Sequence, residues 1–273
     1  MDHVKAKKSL GQNFLQDVNV VEGVLDIGNI GSGDPVFEIG PGTGALTGPL
    51  LSRGAKVKAI ELDHDLAERL SETFRDSSDI ELIEGNILDM DMDGFLLRTG
   101  LADHGYKVIA NIPYYITAPI IRKLLSLSIR PERIVLMVQE EVADRLAAPP
   151  GKMSLISLMA QFYATVTKEL DVPKSAFVPA PKVDSAVVKL VPKRVFSKEG
   201  DRNLFRIARA GFSARRKTLA NNLSSSLHFP RKNIESMLSS LGLDIRVRAQ
   251  ELSVDDWLAL SEVIEKFGMT YEK

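Results

Sequence analysis

Cysteine is absent from this sequence. Disulfides, thiolate zinc sites, iron–sulfur clusters and cysteine nucleophiles are therefore excluded. Histidine is scarce: His3, His64, His104 and His228 stand far apart, without ligand spacing, and read as surface residues. No metal is expected. No uninterrupted apolar run reaches the ~18 residues that a membrane helix needs, so no membrane partner is expected. The opening stretch, MDHVKAKKSLGQNF, has no apolar segment of the signal-peptide kind, which points to a cytoplasmic protein. Internal repeats and low-complexity tracts are missing as well.

What remains is a soluble, globular composition: 273 residues, 44% hydrophobic and 26% charged. The length suits one medium domain and a smaller second one. A net charge of −1 argues against a wholly basic nucleic-acid binder, but the charge is uneven. Pro192 to Glu251 holds thirteen Lys and Arg against five Asp and Glu, a net +8, which leaves −9 elsewhere. That asymmetry fits either a basic face on one domain or an ordinary solvated helical surface.

Along the chain, Asp17 is placed to cap a helix over 17–30, with Val20, Val21, Val24, Leu25 and Gly28 at helical spacing. Short apolar runs at 35–40, 56–62, 79–85, 106–111 and 133–139 then alternate with helix-like GALTGPLLSRG, HDLAERLSETF and APIIRKLLSL. This alternation predicts an α/β fold with a mostly parallel, doubly wound sheet. SAVVKLVP, 185–192, reads as one more strand of that domain. Helices follow, at 201–223, 231–241 and 253–267. Ser253 and Asp256 form a capping box, and Gly242 and Gly268 sit at helix stops. The domain boundary falls near 190–200.

VFEIGPGTGALT places glycines between a strand and a helix, in the crevice where an open α/β sheet takes its ligands. Glu61 follows Gly40 by twenty-one residues, at the end of the next strand, where a carboxylate accepts hydrogen bonds from a ribose diol. Gly40-x-Gly42-x-x-Ala45 also fits the dinucleotide fingerprint. The form E-I-G-P-G-T-G, with Glu38 in the strand, instead resembles motif I of S-adenosylmethionine-dependent methyltransferases. Asn86, in IEGNILDMD, can accept from an adenine amine through its amide oxygen, or simply close an Asx turn.

Asn111-Ile112-Pro113-Tyr114 ends another strand. An exocyclic amine on a nucleobase is a weak nucleophile because its lone pair is delocalised into the ring. Two acceptors on its two N–H bonds would localise that pair. The Asn111 side chain and a backbone carbonyl near Ile112 or Pro113 can supply them. Pro113 has no N–H to compete, and Tyr114 offers a face on which an extruded base can stack. The plainer reading is a strand end, a proline turn and a helix starting near Thr117.

KKSLGQNFLQD, EIGPGTGALT, IELD, NIPYYITAPI, MVQEEVADRL, FVPAPKVDSAVVKL and FSARRKTLANNL occur in this order over nearly the whole chain. Together they resemble the KsgA-type family of ribosomal RNA small-subunit adenine N6,N6-dimethyltransferases, which is similar in fold to the resistance methylases of large-subunit rRNA. The resemblance implies a Rossmann-like class I methyltransferase domain over 1–192, with a basic arm over 1–16, and a small α-helical RNA-binding domain over 193–273. It implies S-adenosyl-L-methionine as cofactor, the small ribosomal subunit precursor and its rRNA as partner, and a monomer. Asn13 and Leu15 would close over the cofactor with Gln12 nearby. Gly40 and Gly42 would lie against it, Glu61 and Leu62 would flank its ribose, and Asn86 and Ile87 its adenine. Asn111 would touch both cofactor and target amine, with Pro113 beside it. Tyr114 would stack on the target adenine, and Phe177 would cover its other face. The family usually has Asp where this chain has Asn86, which keeps an acceptor but loses a charge, so weaker cofactor affinity is expected.

For RNA, the expected contacts are Lys7 and Lys8 in the basic arm, beside Lys5, and Arg206, Arg209, Arg215, Arg216 and Lys217. On a helical wheel over 201–223, Arg202, Arg206, Arg209, Arg216 and Lys217 share an arc of roughly 100°. A break at Gly211 and Ser213, with Ser213 capping a second helix, would aim Arg215, Arg216 and Lys217 differently. The alternatives kept open are a large-subunit rRNA methylase of the resistance type and a non-catalytic assembly factor on the same fold.

Overall fold

The strand and helix patterning resolves into twenty elements in the computed structural model, which describes residues 6–7, 10–101, 105–193 and 201–271. The backbone packs as two compact units. One holds Met1–Asp144 and Ala164–Val195, and the other Arg145–Tyr163 and Phe196–Lys273. The single boundary expected near 190–200 thus has a companion: the segment Arg145–Tyr163 also belongs with the C-terminal helices.

In the first unit the elements run β1 (Phe14–Leu15), α1 (Val18–Gly28), β2 (Pro35–Ile39), α2 (Thr47–Ser52), β3 (Lys56–Glu61), α3 (His64–Thr73), β4 (Ile80–Glu84) and α4 (Met92–Arg98). They continue with β5 (Lys107–Asn111), α5 (Thr117–Leu125), β6 (Arg133–Gln139), α6 (Glu140–Leu146), β7 (Ala164–Val172), β8 (Phe177–Val178) and β9 (Ser185–Pro192). The helix α7 (Leu155–Tyr163), between α6 and β7, lies in the second unit. Seven strands form one sheet in the order β4-β3-β2-β5-β6-β9-β7. The first five are parallel, and β9 pairs antiparallel with both β6 and β7. β1 and β8 make a separate two-stranded ladder.

The central strands read as unbroken apolar runs because helices cover both faces of such a sheet. Val36, Ile109 and Val135 on β2, β5 and β6 are fully buried, and the α1 stripe Val20, Val21, Val24, Leu25 joins the same core. Each fully buried aliphatic side chain of this kind contributes about 1.5–3 kcal/mol. Asp17 caps α1 as expected, its side chain accepting from Asn19 and Val20 N–H. β7 has no counterpart among the expected strands. Its run ATVTKELDV alternates half-buried and exposed residues between buried ends at a sheet edge, carries charge, and holds a bulge between Lys168 and Leu170.

The strand order brings two motifs together. After β2 the chain turns to β3 and β4 on one side, and β5 and β6 build the other. The glycine loop after β2 and the Asn-Ile-Pro-Tyr segment after β5 therefore leave neighbouring strands at the switch point, on the edge of the sheet where the strands end.

The second unit packs α7 with α8 (Arg202–Gly211), α9 (Leu219–Leu227), α10 (Arg231–Ser240) and α11 (Val254–Tyr271). Trp257 is fully buried at its centre and stacks on Phe212 with ring centroids 5.3 Å apart. Two corrections arise here. The helix expected over 201–223 is two helices, and the second is capped by Thr218, not Ser213. Gly268 stops nothing, since α11 continues to Tyr271. The Ser253–Asp256 capping box does form, with Ser253 N–H donating to Asp256 Oδ2 at 2.9 Å and Asp256 N–H to Ser253 Oγ at 3.1 Å. Gly242, with φ of 73°, ends α10.

Candidate functional site

A cleft opens at the switch point of the first unit, with about 1040 Å³ of empty space, part of it open to solvent. Its walls come from the glycine loop, the ends of β3, β4 and β5, the segment from Leu10 to Leu15, and Phe177.

The glycine loop supplies the floor. Gly40 and Gly42 both have positive φ, 68° and 61°, which favours glycine strongly. A Cβ on Gly42 would stand 3.6 Å from the Phe14 ring, so the bare backbone there leaves the cleft its depth. Glu61 is almost entirely buried, and backbone groups grip both of its oxygens. Gly42 N–H donates to Oε2 and Asp63 N–H to Oε1, each at 2.9 Å. Burial pushes its carboxyl above the ordinary range, while these N–H groups pull it back down. Leu62 N–H adds a third backbone interaction, and the carboxylate still keeps acceptor capacity for a ligand. Leu62 is exposed at the rim, and Ile87 is buried in the wall.

Asn86 also lines the cleft, and it does close an Asx turn: Leu88 N–H donates to its Oδ1 at 3.0 Å. Its Nδ2 donates to Asp89 Oδ2 at 2.8 Å. One lone pair on Oδ1 remains, so the turn and an acceptor role are compatible.

Asn111 ends β5. Its Nδ2 donates to the Asn13 carbonyl at 3.3 Å, which turns Oδ1 the other way as a free acceptor. Of the two carbonyls expected beside it, that of Pro113 accepts Ile116 N–H at 3.2 Å, whereas that of Ile112 has no donor among the described residues and is the less engaged of the two. Tyr114 is held by a hydrogen bond of 2.8 Å between its hydroxyl and the buried Ser185 Oγ. Burial raises its phenol above the usual value, and Ser185 opposes that. Phe177, on β8, is buried and lines the cleft beside its ladder partner Leu15.

Gln12, Asn13, Leu15, Gly40, Gly42, Glu61, Leu62, Asn86, Ile87, Asn111, Pro113, Tyr114 and Phe177 thus share one cleft. Sequence reasoning missed several contributors, among them the apolar wall residues Phe14, Leu46 and Ile120. Tyr115, largely exposed, also lines the wall. Ser185 was read only as strand. Asp63, 3% exposed, caps α3, accepting Asp65 N–H at 3.2 Å, and joins the N-terminal segment to this site. Its position before HDLAERL was a readable cap signal; its long-range partners were not.

The basic residues separate into two groups. Lys7 faces carboxylates: its Nζ donates to Asp63 Oδ1 at 2.6 Å and to Asp65 Oδ2 at 2.7 Å. A phosphate contact by this half-exposed side chain would have to compete with those two bonds. Lys8 and Lys5 lie outside the described residues. In the second unit, Arg206 and Arg209 are exposed on α8, while Arg215, Arg216 and Lys217 are exposed in the turn before α9. Asn222 holds that turn, donating to the carbonyls of Gly211 at 2.6 Å and Ala214 at 3.0 Å. Among the described residues, no cluster of His, Cys, Asp and Glu has metal-binding form, and no helix is long and apolar enough to cross a membrane.

A profile of the ribosomal RNA adenine dimethylase family matches residues 3–266. The chain is 43% identical over 272 residues to a ribosomal RNA small subunit methyltransferase A of Thermosynechococcus vestitus, covering 96% of this chain and 98% of that one. It is 40% identical over 259 residues to the protein of the same description from Dehalococcoides mccartyi, covering 94% and 88%. Among solved structures, a dimethyladenosine transferase from Plasmodium falciparum superposes with a TM-score of 0.78 at 28% identity, over 93% of this chain and 98% of that one. The 23S rRNA methyltransferase ErmE superposes with a TM-score of 0.73 over 93% and 100%; at 24% identity it shares the fold.

Proposed function

The chain belongs to the ribosomal RNA adenine dimethylase family, and from that premise we propose that it is an S-adenosylmethionine-dependent enzyme that dimethylates N6 of two adjacent adenines in the 3′-terminal hairpin loop of small-subunit rRNA, during ribosome assembly in the cytoplasm. The observation that carries this reading is the meeting of Asn111, Tyr114 and Phe177 with Gly40, Gly42, Glu61 and Asn86 in one cleft.

The residues fit the cofactor. The cleft combines apolar walls with a few converging polar groups, as small-molecule sites do. The positive-φ glycines let a ligand approach the backbone, Glu61 has lone pairs for a ribose diol, Asn86 Oδ1 has one for an adenine amine, and Ile87 offers an apolar face. When bound, the cofactor supplies an electrophilic methyl group.

The chain's own work is to hold the target amine. Asn111 Oδ1 and the Ile112 carbonyl accept its two N–H bonds and localise the nitrogen lone pair. The Tyr114 ring, fixed through Ser185, stacks on the extruded base, and Phe177 covers it. Little else is needed beyond alignment. A monomethylated amine keeps one N–H, so the same groups can hold it for a second transfer. The exposed Arg206, Arg209, Arg215, Arg216 and Lys217 meet rRNA phosphates.

The test is transfer of labelled methyl groups to purified, unmethylated small subunits, with large-subunit rRNA alongside. Two methyls on each of two adjacent adenines are expected. Asn111→Ala removes a preorganised hydrogen-bonding group and is expected to lower kcat by about a hundredfold or more while the chain still folds. Label confined to large-subunit RNA, or binding without transfer, would overturn this reading. Near-normal turnover by Asn111→Ala would overturn the role given to that amide.

A further inference from the structure

Lys7 and Gln12 lie five residues apart in the N-terminal segment and converge on one buried carboxylate. Asp63 Oδ1 accepts Lys7 Nζ at 2.6 Å, and Oδ2 accepts Gln12 Nε2 at 2.7 Å. Gln12 Oε1 in turn accepts Lys7 N–H at 2.7 Å, which closes a ring of three residues. Lys7 Nζ also reaches Asp65. Burial alone would raise the Asp63 carboxyl, but its bonds from Lys7 and Gln12 outweigh that and hold it below the usual value. The same residue's backbone N–H donates to Glu61 Oε1.

The other end of the segment is fixed separately. Leu15 pairs with Phe177, and Gln16 N–H donates to the Ala176 carbonyl at 2.8 Å. Between the two anchors lies Asn13, whose carbonyl receives the Asn111 amide. A carboxamide presents either its oxygen or its NH₂ to a ligand, depending on which partner it meets. At 3.3 Å this bond is long, so a small displacement of the Asn13 carbonyl would release the amide.

We propose that Asp63 is a positioning residue for methyl transfer: through Lys7 and Gln12 it holds residues 10–15 as one wall of the cleft, and through the Asn13 carbonyl that wall keeps Asn111 Oδ1 turned toward the target amine. The role rests on the methyltransferase reading above. It also reassigns Lys7. A cation facing two carboxylates adds little attraction for phosphate, because its field is cancelled locally.

Lys7→Met tests this while leaving in place the Asp65 N–H bond to Asp63 that caps α3. Three readouts separate the possibilities: calorimetric binding of S-adenosylhomocysteine without RNA, amide hydrogen exchange over residues 11–15, and steady-state kinetics on small subunits. Removal of this partly exposed pair is expected to weaken cofactor binding about two- to fivefold, speed exchange in the segment and lower kcat. The KM for subunits and its salt dependence should not change, and Lys7→Arg should restore most of the loss. Unchanged cofactor binding and exchange, with a raised subunit KM and a shallower salt slope, would place Lys7 on phosphate and overturn the role of Asp63. Failure of the unaltered chain to bind S-adenosylhomocysteine would overturn the methyltransferase reading and this proposal together.

Discussion

Glu38 illustrates what one buried side chain asks of its surroundings. It is 1% exposed in β2; its Oε2 accepts the buried Thr47 hydroxyl at 2.8 Å, while Oε1 has no partner among the described residues. Burial pushes its carboxyl up to about 8; the Thr47 bond opposes the shift and nearby Glu61 adds to it. The folded chain therefore binds this proton more tightly than the unfolded chain, whose ordinary value is 4.5. By linkage, the stabilisation from the neutral acid is fully present below about 4.5 and is lost as pH rises through about 8. Glu38→Gln keeps the shape and removes the titration. Urea midpoints of the variant should fall less across that window than those of the unaltered chain. Parallel declines would assign the pH dependence to other groups. Asn86 makes a related point. An Asp there would set a second carboxylate against Asp89, which now accepts the Asn86 amide at 2.8 Å. The Asn is thus matched to its neighbour as well as to a ligand.

At the scale of elements, the break between α8 and α9 decides how the basic residues are displayed. The periodicity of 201–223 reads as one amphipathic helix, and the reason it is not one lies elsewhere in the chain. A Cβ at Gly211 would stand 2.4 Å from Trp257 Cη2 and 2.8 Å from Leu219 Cδ1. Close packing of Gly211 against that ring, and the bonds from Asn222, bend the chain, so Arg215, Arg216 and Lys217 sit on a turn and not on the face of Arg206 and Arg209. Gly211→Ala is a sharp test because helix propensity favours Ala by about 1 kcal/mol. Overpacking of the core should outweigh that, with a net loss of about 1–3 kcal/mol measured by urea unfolding. A gain in stability would mean that the tryptophan yields easily. The caps at Asp17 and at Ser253 with Asp256 were readable because each spans only three residues. β7 was not, because charged residues interrupt its apolar pattern and its hydrogen-bond partner, β9, lies later in the chain.

Across the whole molecule, a nearly neutral chain concentrates positive charge in residues 192–251. If Arg216 and Lys217 meet phosphate, the double substitution to Ala should weaken binding to small subunits and flatten its salt dependence, by about 0.9 in log–log slope for each phosphate no longer neutralised. Cofactor affinity should not change. An unaltered slope would remove both residues from the RNA surface.

Composition and periodicity were enough for the α/β class, the parallel strands and the helical C-terminal region, and the motifs with the family resemblance they carry led to the polar residues of the cleft, but not to apolar lining such as Phe14, Leu46 and Ile120. These features are local, or repeat at fixed spacing, so they are written directly in the chain. The excursion of Arg145–Tyr163 into the second unit, the orientation of the Asn111 amide, the Tyr114–Ser185 bond and the convergence of Lys7 and Gln12 on Asp63 came only with the tertiary structure. The reason is physical: each of those hydrogen bonds joins residues separated by 51 to 98 positions. Which donor meets which acceptor over such separations is decided by packing of the sheet and its connections, and no local pattern encodes it.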